Sequence, residues 1–600
     1  MGQETKKAKD EWANVAAMLF GQAARFGNKP FLWRKTDGRW QSLSWAEVAA
    51  QVAKLAGALR TLGVEAGDRV AIVAENRPEW LIADHAIMTL GAIAVPVYTT
   101  YTTRDYLHVL DNSGAKGVII STARLAATVL PAAHQASNLR FALCLEKPRV
   151  AQRLNCEIHD WAAVMAASRT TVDDATAWAG VPGRRDIACL IYTSGTGGAP
   201  RGVMQHHGGL LHNCAGARDV IAEIGIGGDV FLSFLPLSHS YEHTGGQFLP
   251  IFLGAQIYYA EGLDKLARNI EESRPTVMVV VPRLFEVMRQ RIVTQIDRKG
   301  GLSAKLFYRA IELGTQQRLQ PASMNWWQRS QNRLLDVLVR RKIKKRFGGR
   351  LKAMVAGGAP LNEDVGNFFL ALGLRLLQGY GQTEAHPVIA VHRLFDIKIE
   401  TVGKPLTDTE IKIAEDGEIL VRGELVMQGY WRDEEATRQV LRDGWLYTGD
   451  IGVIDGDGHL QITDRKKDII VNDKGDNVSP ARIEGMLVLE PEIMQAMVHG
   501  DRRPHLVGLI VPDSDWLEGW KAEHGKTGAL ADLRQDRDLI TAIDRAISRV
   551  NKQLSAAEKV RRFALADEPF TVENSEMTPK LSIRRHVITK RYGDRLTDLY

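Results

Sequence analysis

The chain has 600 residues, a length that predicts two or more domains. A composition of 45% hydrophobic and 25% charged residues is typical of globular proteins, and the net charge of +6 gives no indication of a nucleic-acid partner. The four cysteines lack paired spacing, which excludes a disulfide framework and a cysteine zinc site. Without a secretory signal or a run of ~18 apolar residues, we expect a cytoplasmic protein.

Short apolar runs alternate with helical periodicity over the first 400 residues. Helical periodicity covers residues 12–65, with a hairpin-like break at Lys35–Arg39. The apolar runs are 69–74, 92–97, 117–120, 187–191, 230–235, 256–259, 277–281, 353–356 and 374–378. This alternation predicts an α/β fold whose parallel sheets are covered on both faces, with ligands at the C-terminal ends of the strands.

Antiparallel strands are predicted after residue 400. Residues 409–413, 417–423 and 453–462 alternate strictly between tight turns, which indicates a β-barrel-like part over about 396–463. The Asp-Gly-Asp-Gly segment 455–458 lacks the later ligands of a calcium loop and predicts a hairpin turn. We divide the chain into a large domain (1–463), a charged hinge (464–468) and a small α+β domain (469–600).

A polar helical segment, residues 300–347, contains Trp326-Trp327 and the basic run 340–346. Two interpretations of the basic run stay open. A solvated helix face is the commoner one, and peripheral contact with an anionic membrane, at its inner face, is the other.

The segment Tyr192–Met204 is dense in groups that bind phosphate. It combines glycines, hydroxyls and a cation: Thr193, Ser194, Gly195, Thr196, Gly197, Gly198 and Arg201. Glycines allow backbone N–H groups to approach a ligand, and arginine adds a fixed positive charge. Val203 stands where a Walker loop has its lysine. We therefore predict a different phosphate loop; the alternative is a surface turn between a strand and a helix.

A second cluster, Gly379–Glu384, follows an apolar run. It fails as a dinucleotide fingerprint because Glu384 stands where a third glycine is required. The Glu384 carboxylate suits Mg²⁺, Thr383 can donate to an α-phosphate, and Tyr380 could cover an adenine face. Further on, Asp450 ends the strand-like run from Trp445, where a carboxylate can bind ribose hydroxyls or cap a turn.

These segments, in this order, resemble the adenylate-forming (AMP-dependent synthetase/ligase) superfamily from about residue 12 to the C-terminus. Pro78–Trp80, Leu235–His239, Glu242–Thr244 and the helical insertion are most similar to bacterial long-chain fatty acid–CoA ligases. The resemblance implies that a fatty acid or other carboxylate reacts with MgATP to acyl-AMP, whose acyl group is then transferred to CoA. It also implies a mobile C-terminal domain.

The resemblance also implies roles for individual residues. The phosphate loop and Arg201 would hold the triphosphate, with Thr196 and Glu384 as Mg²⁺ ligands. Lys467 would be the hinge pivot and Gly475 would lie where the pantetheine arm passes. His239 and His207 would border the active site, although His207 is almost as well explained as a packed core or surface histidine. The nucleotide would contact Gly357, Gly358, Ala359, Gln378, Gly379, Tyr380, Gly381, Asp450 (ribose), Ile462 and Arg465.

The chain departs from the superfamily pattern at three positions. Gly197 replaces a hydroxyl residue, Arg201 replaces a lysine, and Ser582 occupies the place of the adenylation lysine, with Lys580 two residues earlier. Either Lys580 serves from its displaced position, or it is solvated and adenylation is slow. The alternatives to an acyl-CoA ligase are therefore an adenylating enzyme with another thiol acceptor and a weakened member that binds acyl chains or nucleotide.

Overall fold

The computed structural model describes residues 11–149, 153–193, 200–466, 469–473, 476–578 and 583–600. The first large sheet has seven strands. In spatial order they are Glu157–Asp160, Phe141–Cys144, Gly117–Ile120, Arg69–Val73, Ile93–Pro96, Ile187–Thr193 and Arg201–His206. All neighbours are parallel except the last pair, which is antiparallel.

The second large sheet has nine strands. In spatial order they are Lys404–Pro405, Val388–Val391, Leu376–Gly381, Ala353–Ala356, Val277–Val280, Val230–Ser233, Gln256–Tyr259, Pro30–Thr36 and Arg39–Ser44. The six strands from Leu376–Gly381 to Pro30–Thr36 run parallel. Antiparallel strands extend the sheet at both edges.

Helices alternate with these strands. Their bounds are Val15–Phe26, Trp45–Thr61, Pro78–Thr89, Thr103–Ser113, Ala123–Gln135, Trp161–Ala167, Val172–Ala179, His207–Ala222, Ser240–Glu242, His243–Phe248 (π), Leu249–Leu253, Leu266–Ser273, Pro282–Lys299, Gly301–Leu319, Pro321–Ser323 (3-10), Trp326–Leu335, Asp336–Arg340 (π), Arg341–Arg346, Glu363–Ala371, Thr383–Ala385 (3-10) and Glu434–Val440. The largest hydrophobic core joins the two large sheets through the helices Val15–Phe26, Pro78–Thr89 and His207–Ala222.

The hairpin-like break at Lys35–Arg39 is a β-hairpin. Its strands Pro30–Thr36 and Arg39–Ser44 are joined by Asp37 and Gly38, whose φ angles of 49° and 75° are both positive. Positive φ at both central residues matches the right-handed twist of the strands, and Asp-Gly is the favoured pair for it.

A five-stranded antiparallel sheet occupies the part predicted as barrel-like. Its strands are Glu410–Ile413, Glu418–Arg422, Leu441–Arg442, Trp445–Ile454 and Leu460–Arg465. Residues 455–458 form the predicted hairpin turn, in which the amide of Gly458 donates to the carbonyl of Asp455 at 3.0 Å.

The C-terminal module has its own hydrophobic core. A three-stranded sheet (Ile493–His499, Leu506–Pro512, Val560–Leu565) and a small hairpin (Ile470–Val471, Asn477–Val478) pack with the helices Pro480–Leu487, Ser514–His524, Leu530–Leu533, Arg537–Asn551 and Arg585–Thr597. The predicted helix face is confirmed, since Ile543, Ile547 and Val550 are buried. The predicted fold class is therefore confirmed: parallel α/β sheets, an antiparallel part and a small α+β module.

The four cysteines are free thiols, as expected. Within the described ranges, none of the helices combines the length and the apolar character that crossing a membrane requires.

Candidate active site

The phosphate-loop segment lies between two strands of the first sheet. The strand Ile187–Thr193 leads into it, as predicted, and Arg201–His206 returns antiparallel, so that Thr193 pairs with Arg201. The helix His207–Ala222 begins only after the second strand, so the segment connects two strands and not, as expected for the alternative, a strand and a helix. Ser194, Gly195, Thr196, Gly197 and Gly198 lie outside the described residues, and their phosphate contacts stay a prediction.

Arg201 stands beside an aromatic ring and a carboxylate. Its Nε lies 3.2 Å from Oδ2 of Asp433, and its guanidinium carbon lies 5.7 Å from the ring centroid of Tyr430. The Tyr430 hydroxyl donates to Oε1 of Glu384 at 2.8 Å. Burial, followed by the charge of Glu384, raises the pKa of Tyr430, so the phenol keeps its proton. Tyr430 thereby joins the predicted cation to the predicted magnesium ligand.

Backbone pairing holds Tyr430 in this place. The amide of Met204 donates to the carbonyl of Gly429 at 2.9 Å, and the amide of Trp431 donates to the carbonyl of Gly202 at 2.7 Å. An antiparallel bridge between Val203 and Tyr430 lies between these bonds. The segment 428–431 therefore extends the edge of the first sheet next to the phosphate-loop strands.

The turn that carries Thr383 and Glu384 is fixed through its backbone. It is a 3-10 helix, Thr383–Ala385, which begins after Gln382, the residue that follows the strand Leu376–Gly381. The side-chain amide of Gln205 donates to the carbonyl of Thr383, and the amide of Met427 donates to the carbonyl of Glu384, both at 2.8 Å. The Thr383 and Glu384 side chains are therefore held beside the Arg201–His206 strand.

His386 adds a third support to this turn. Its Nε2 accepts from the amide of His206 at 2.9 Å, and its Nδ1 donates to the carbonyl of Leu425 at 2.5 Å. Burial, followed by the neighbouring His206, lowers the pKa of His386 well below its ordinary value. The ring is therefore neutral, with its proton on Nδ1. In this tautomer the one side chain accepts a hydrogen bond from one chain segment and donates a hydrogen bond to another.

The predicted adenine and ribose residues share one hydrogen bond. The hydroxyl of Tyr380 donates to Oδ2 of Asp450 at 2.6 Å, and Nε of Arg465 lies 3.2 Å from Oδ1. We predicted that Asp450 ends its strand, and this is wrong. Asp450 lies inside the strand Trp445–Ile454, opposite Arg465. The local run gives no signal of this because the strand continues through Gly449, whose φ is 73°. Ile462 lies on the neighbouring strand, Leu460–Arg465.

A glycine pair lies beside the ring of Tyr241. Gly357 and Gly358 follow the strand Ala353–Ala356, and a side chain on Gly357 would place Cβ 2.9 Å from the ring of Tyr241. Gly358 has a φ of 84°, which favours glycine, and Ala359 after it is exposed. His239 caps the helical turn that begins at Ser240, because its Nδ1 accepts from the amide of Tyr241 at 3.0 Å.

The strand Leu376–Gly381 carries Gln378, Gly379 and Gly381. The side-chain amide of Gln378 donates to the carbonyl of Thr401 at 2.9 Å, which makes Gln378 a buried support of the strand. Gly379 pairs with Val391. A Cβ on Gly381 would lie 1.8 Å from the carbonyl oxygen of Pro387, so this position requires glycine.

His207 is a core residue. Its side chain is buried at the start of its helix, and the amide of Val15 donates to its Nδ1 at 3.5 Å. Burial lowers its pKa to about 3, so the imidazole is neutral at physiological pH. His207 is therefore a packed core histidine and not a surface one, and its place at the border of the active site stays a prediction.

Comparison with known families covers nearly the whole chain. Residues 19–431 match the AMP-binding enzyme family, and residues 467–600 match the AMP-binding enzyme C-terminal domain. The chain belongs to the AMP-binding enzyme family. The predicted resemblance to the adenylate-forming superfamily is thereby confirmed.

Known proteins are similar to this AMP-binding enzyme over nearly its whole length. It is 35% identical over 610 residues to the long-chain-fatty-acid–CoA ligase FadD15 of Mycobacterium bovis, with 98% of this chain and 97% of that protein covered. It is 30% identical to the peroxisomal long chain acyl-CoA synthetase 6 of Arabidopsis thaliana, with 94% and 82% covered. The adenylation domain of a carboxylate reductase from Mycobacterium chelonae has the same fold, with a TM-score of 0.76 at 20% identity and 100% and 93% covered.

Four supporting residues of this AMP-binding enzyme did not emerge from its sequence: Gln205, His386, Tyr430 and Asp433. Tyr430 offers the best local signal, since it stands in Gly429-Tyr-Trp431 between two strand-like segments. Gln205 and His386 act through backbone groups far along the chain, which no local pattern reveals. Lys467, Gly475, Lys580 and Ser582 lie outside the described residues.

Proposed function

We propose that this AMP-binding enzyme is an ATP-dependent acyl-CoA ligase that activates a fatty acid, in particular a long-chain one. The fatty-acid carboxylate attacks the α-phosphorus of ATP, pyrophosphate leaves and acyl-AMP forms. The sulfur of CoA then attacks the acyl carbonyl carbon and AMP leaves. The observation that carries the proposal is the link from Arg201 through Tyr430 to Glu384, which puts a cation and a carboxylate at the phosphate-loop strands.

The described residues suit this chemistry. An anionic nucleophile that attacks a polyphosphate needs charge neutralisation and alignment more than a general base. We assign the triphosphate to Arg201 and the phosphate loop, an α-phosphate contact to Thr383, and the ribose to Asp450. The buried Tyr380 and the strand residues around Gln378 would support the adenine side.

The donor set also fits Mg²⁺. Oε1 of Glu384 accepts from Tyr430, whereas Oε2 accepts no hydrogen bond from the residues that the structure describes. The carboxylate of Glu384 is partly exposed, so Oε2 can reach a metal ion. Carboxylate oxygens are hard ligands, which Mg²⁺ prefers. Magnesium bound with ATP would offset phosphate charge there, and we propose Thr196 as its second protein ligand.

We further propose that residues 464–468 form the hinge between residues 1–463 and 469–600. Lys467 would be the pivot, and rotation would exchange the adenylating face for one that admits CoA past Gly475.

Fatty-acid-dependent exchange of pyrophosphate into ATP tests the first half-reaction, and acyl-CoA formation tests the second. A series of carboxylic acids from acetate to a long-chain fatty acid gives the substrate class. A carrier-protein thiol supplied in place of CoA tests the other acceptor. Acyl transfer to the carrier alone would overturn the CoA assignment. Absence of exchange with any acid would instead favour the weakened member, which is motivated by Gly197 and the displaced Lys580.

The cytoplasmic location and the membrane contact through residues 340–346 stay predictions. One residue of that basic run, Arg340, is not on the surface. Arg340 is buried, and its guanidinium donates to the carbonyls of Ala371, Ala310 and Asn332. It therefore fastens the insertion to the large domain and is not available to a membrane.

A further inference from the structure

The helical insertion turns an apolar face away from the protein. The chain is helical from Trp326 to Arg346 in three consecutive stretches, Trp326–Leu335, Asp336–Arg340 and Arg341–Arg346. Leu335 and Arg340 are buried and attach this helix to the domain. The insertion is therefore held in one orientation, which determines what its other face presents.

Five large apolar side chains occupy that outer face: Trp326, Trp327, Leu334, Val337 and Leu338. Trp326 is 65% exposed and Trp327 is 63% exposed, and their rings are stacked with centroids 4.0 Å apart. Leu334 follows Trp327 by seven residues and Trp326 by eight, and Val337 and Leu338 follow Leu334 by three and four. Residues at these spacings lie on one side of a helix. We call these five residues the apolar patch. Exposed apolar side chains grouped on one face of a helix mark an interaction surface.

Basic side chains continue the patch along the same helix. Arg341, Lys342, Lys345 and Arg346 are exposed and begin three residues after Leu338. Residues 301–346 contain eleven lysines and arginines against two acidic residues, although the whole chain has a net charge of only +6. The positive charge of the protein is therefore concentrated in this insertion.

We propose that the apolar patch and the exposed basic residues 341–346 dock the protein on the surface of an anionic phospholipid bilayer. Tryptophan is enriched at the membrane–water interface, where its ring enters the headgroup region, and aliphatic side chains enter the acyl boundary. Lysine and arginine beside them attract anionic headgroups. Charge complementarity favours a bilayer over a second copy of this chain, since pairing two such faces would bring like charges together.

The proposal goes beyond the ligase activity and does not depend on it, because its readout is lipid binding. The full chain is floated with vesicles of phosphatidylcholine alone and with vesicles that also contain phosphatidylglycerol, at low and at high salt. We expect binding to the anionic vesicles only, and weaker binding at high salt.

Two variants separate the apolar and the electrostatic contributions. Trp326→Ser with Trp327→Ser should weaken partitioning at least about tenfold. Arg341→Gln with Lys342→Gln and Lys345→Gln should weaken it on the order of 100-fold, given the attraction per basic residue near an anionic surface. Phe395→Ser and Arg502→Gln are matched controls, because Phe395 is 85% exposed and the Arg502 side chain is 91% exposed outside this surface. Both should bind vesicles as the parent chain does.

The thermal midpoint and ATP–pyrophosphate exchange of each variant are measured to show that it folds. Undiminished vesicle binding by the folded tryptophan variant or the folded charge variant would overturn the proposal. So would a parent chain that does not bind anionic vesicles, or a dimer in light scattering that the Trp326→Ser, Trp327→Ser variant dissociates. The last result would assign the patch to a second copy of the chain.

Discussion

The hydroxyl of Tyr380 donates a hydrogen bond of 2.6 Å to the carboxylate of Asp450, seventy residues further along the chain. Both side chains are buried, and Arg465 approaches the other carboxylate oxygen at 3.2 Å. The carboxylate that we assign to the ribose is therefore held from two sides before any nucleotide arrives. Such preorganisation reduces the ordering cost of binding.

Tyr380→Phe should raise the KM for ATP on the order of tenfold. The change removes one donor from the buried carboxylate of Asp450, and the loss of such a hydrogen bond costs about 1–3 kcal/mol. ATP–pyrophosphate exchange at varied ATP concentration measures it. Tyr308→Phe is the matched control, since it removes a phenol–carboxylate hydrogen bond of the same 2.6 Å length, to Asp297, on an exposed helix. Equal KM values in both variants would contradict the assignment of Asp450.

Arg201→Ala should slow adenylation on the order of 100-fold, because a preorganised charge beside the phosphates is lost. Arg201→Lys should recover part of the rate, since it keeps the charge but loses the planar guanidinium over Tyr430. Arg422→Ala is the control, because Arg422 also stacks on an aromatic ring, that of Trp445, and pairs with a carboxylate, Glu410. If both alanine variants lose the same activity, Arg201 acts only through stability.

Lys580→Ala should lower fatty-acid-dependent ATP–pyrophosphate exchange at least about 100-fold and leave thioester formation from supplied acyl-AMP nearly unchanged. Ser582→Ala is its matched control and should retain both activities. The double variant Lys580→Ala, Ser582→Lys puts the lysine where the superfamily has it. This variant should therefore restore exchange. Equal loss of both half-reactions in Lys580→Ala would make Lys580 a structural residue.

Glu242 should make the protein less stable as pH rises. Its Oε1 accepts from Oγ of Ser233 at 2.6 Å, and burial raises its pKa to about 8 from the ordinary 4.5. The folded state therefore holds a proton that the unfolded state releases between these values. This stabilisation is complete below about pH 4.5 and is lost as pH rises through about 8.

Glu242→Gln should consequently flatten the decline of the thermal midpoint between about pH 5 and about pH 9, because the amide does not ionise. Differential scanning fluorimetry across this range measures it. Glu271→Gln, an exposed change on the helix Leu266–Ser273, should follow the parent curve. A Glu242→Gln curve parallel to that of the parent would show that Glu242 does not carry the pH dependence.

Much of the fold could be predicted from local pattern. The apolar runs at Arg69–Val73 and Gly117–Ile120, the Asp37-Gly38 hairpin and the helix face of Ile543 all have the predicted form. Each is decided by periodicity or turn chemistry within a few residues. The position of Asp450 within its strand and the burial of Arg340 could not be predicted from local pattern. Both depend on neighbours far away in the sequence.

The sequence by itself determined the α/β class, the order of the nucleotide-binding segments and the family, because short runs of glycines, hydroxyls and charges carry that chemistry locally. Only the tertiary structure decided that Tyr430 joins Arg201 to Glu384, that Tyr380 holds Asp450, and that the tryptophan pair faces outward. The physical reason is that these relationships depend on which strands lie side by side and which helix face is covered. Backbone pairing and core packing set both across long separations in the chain.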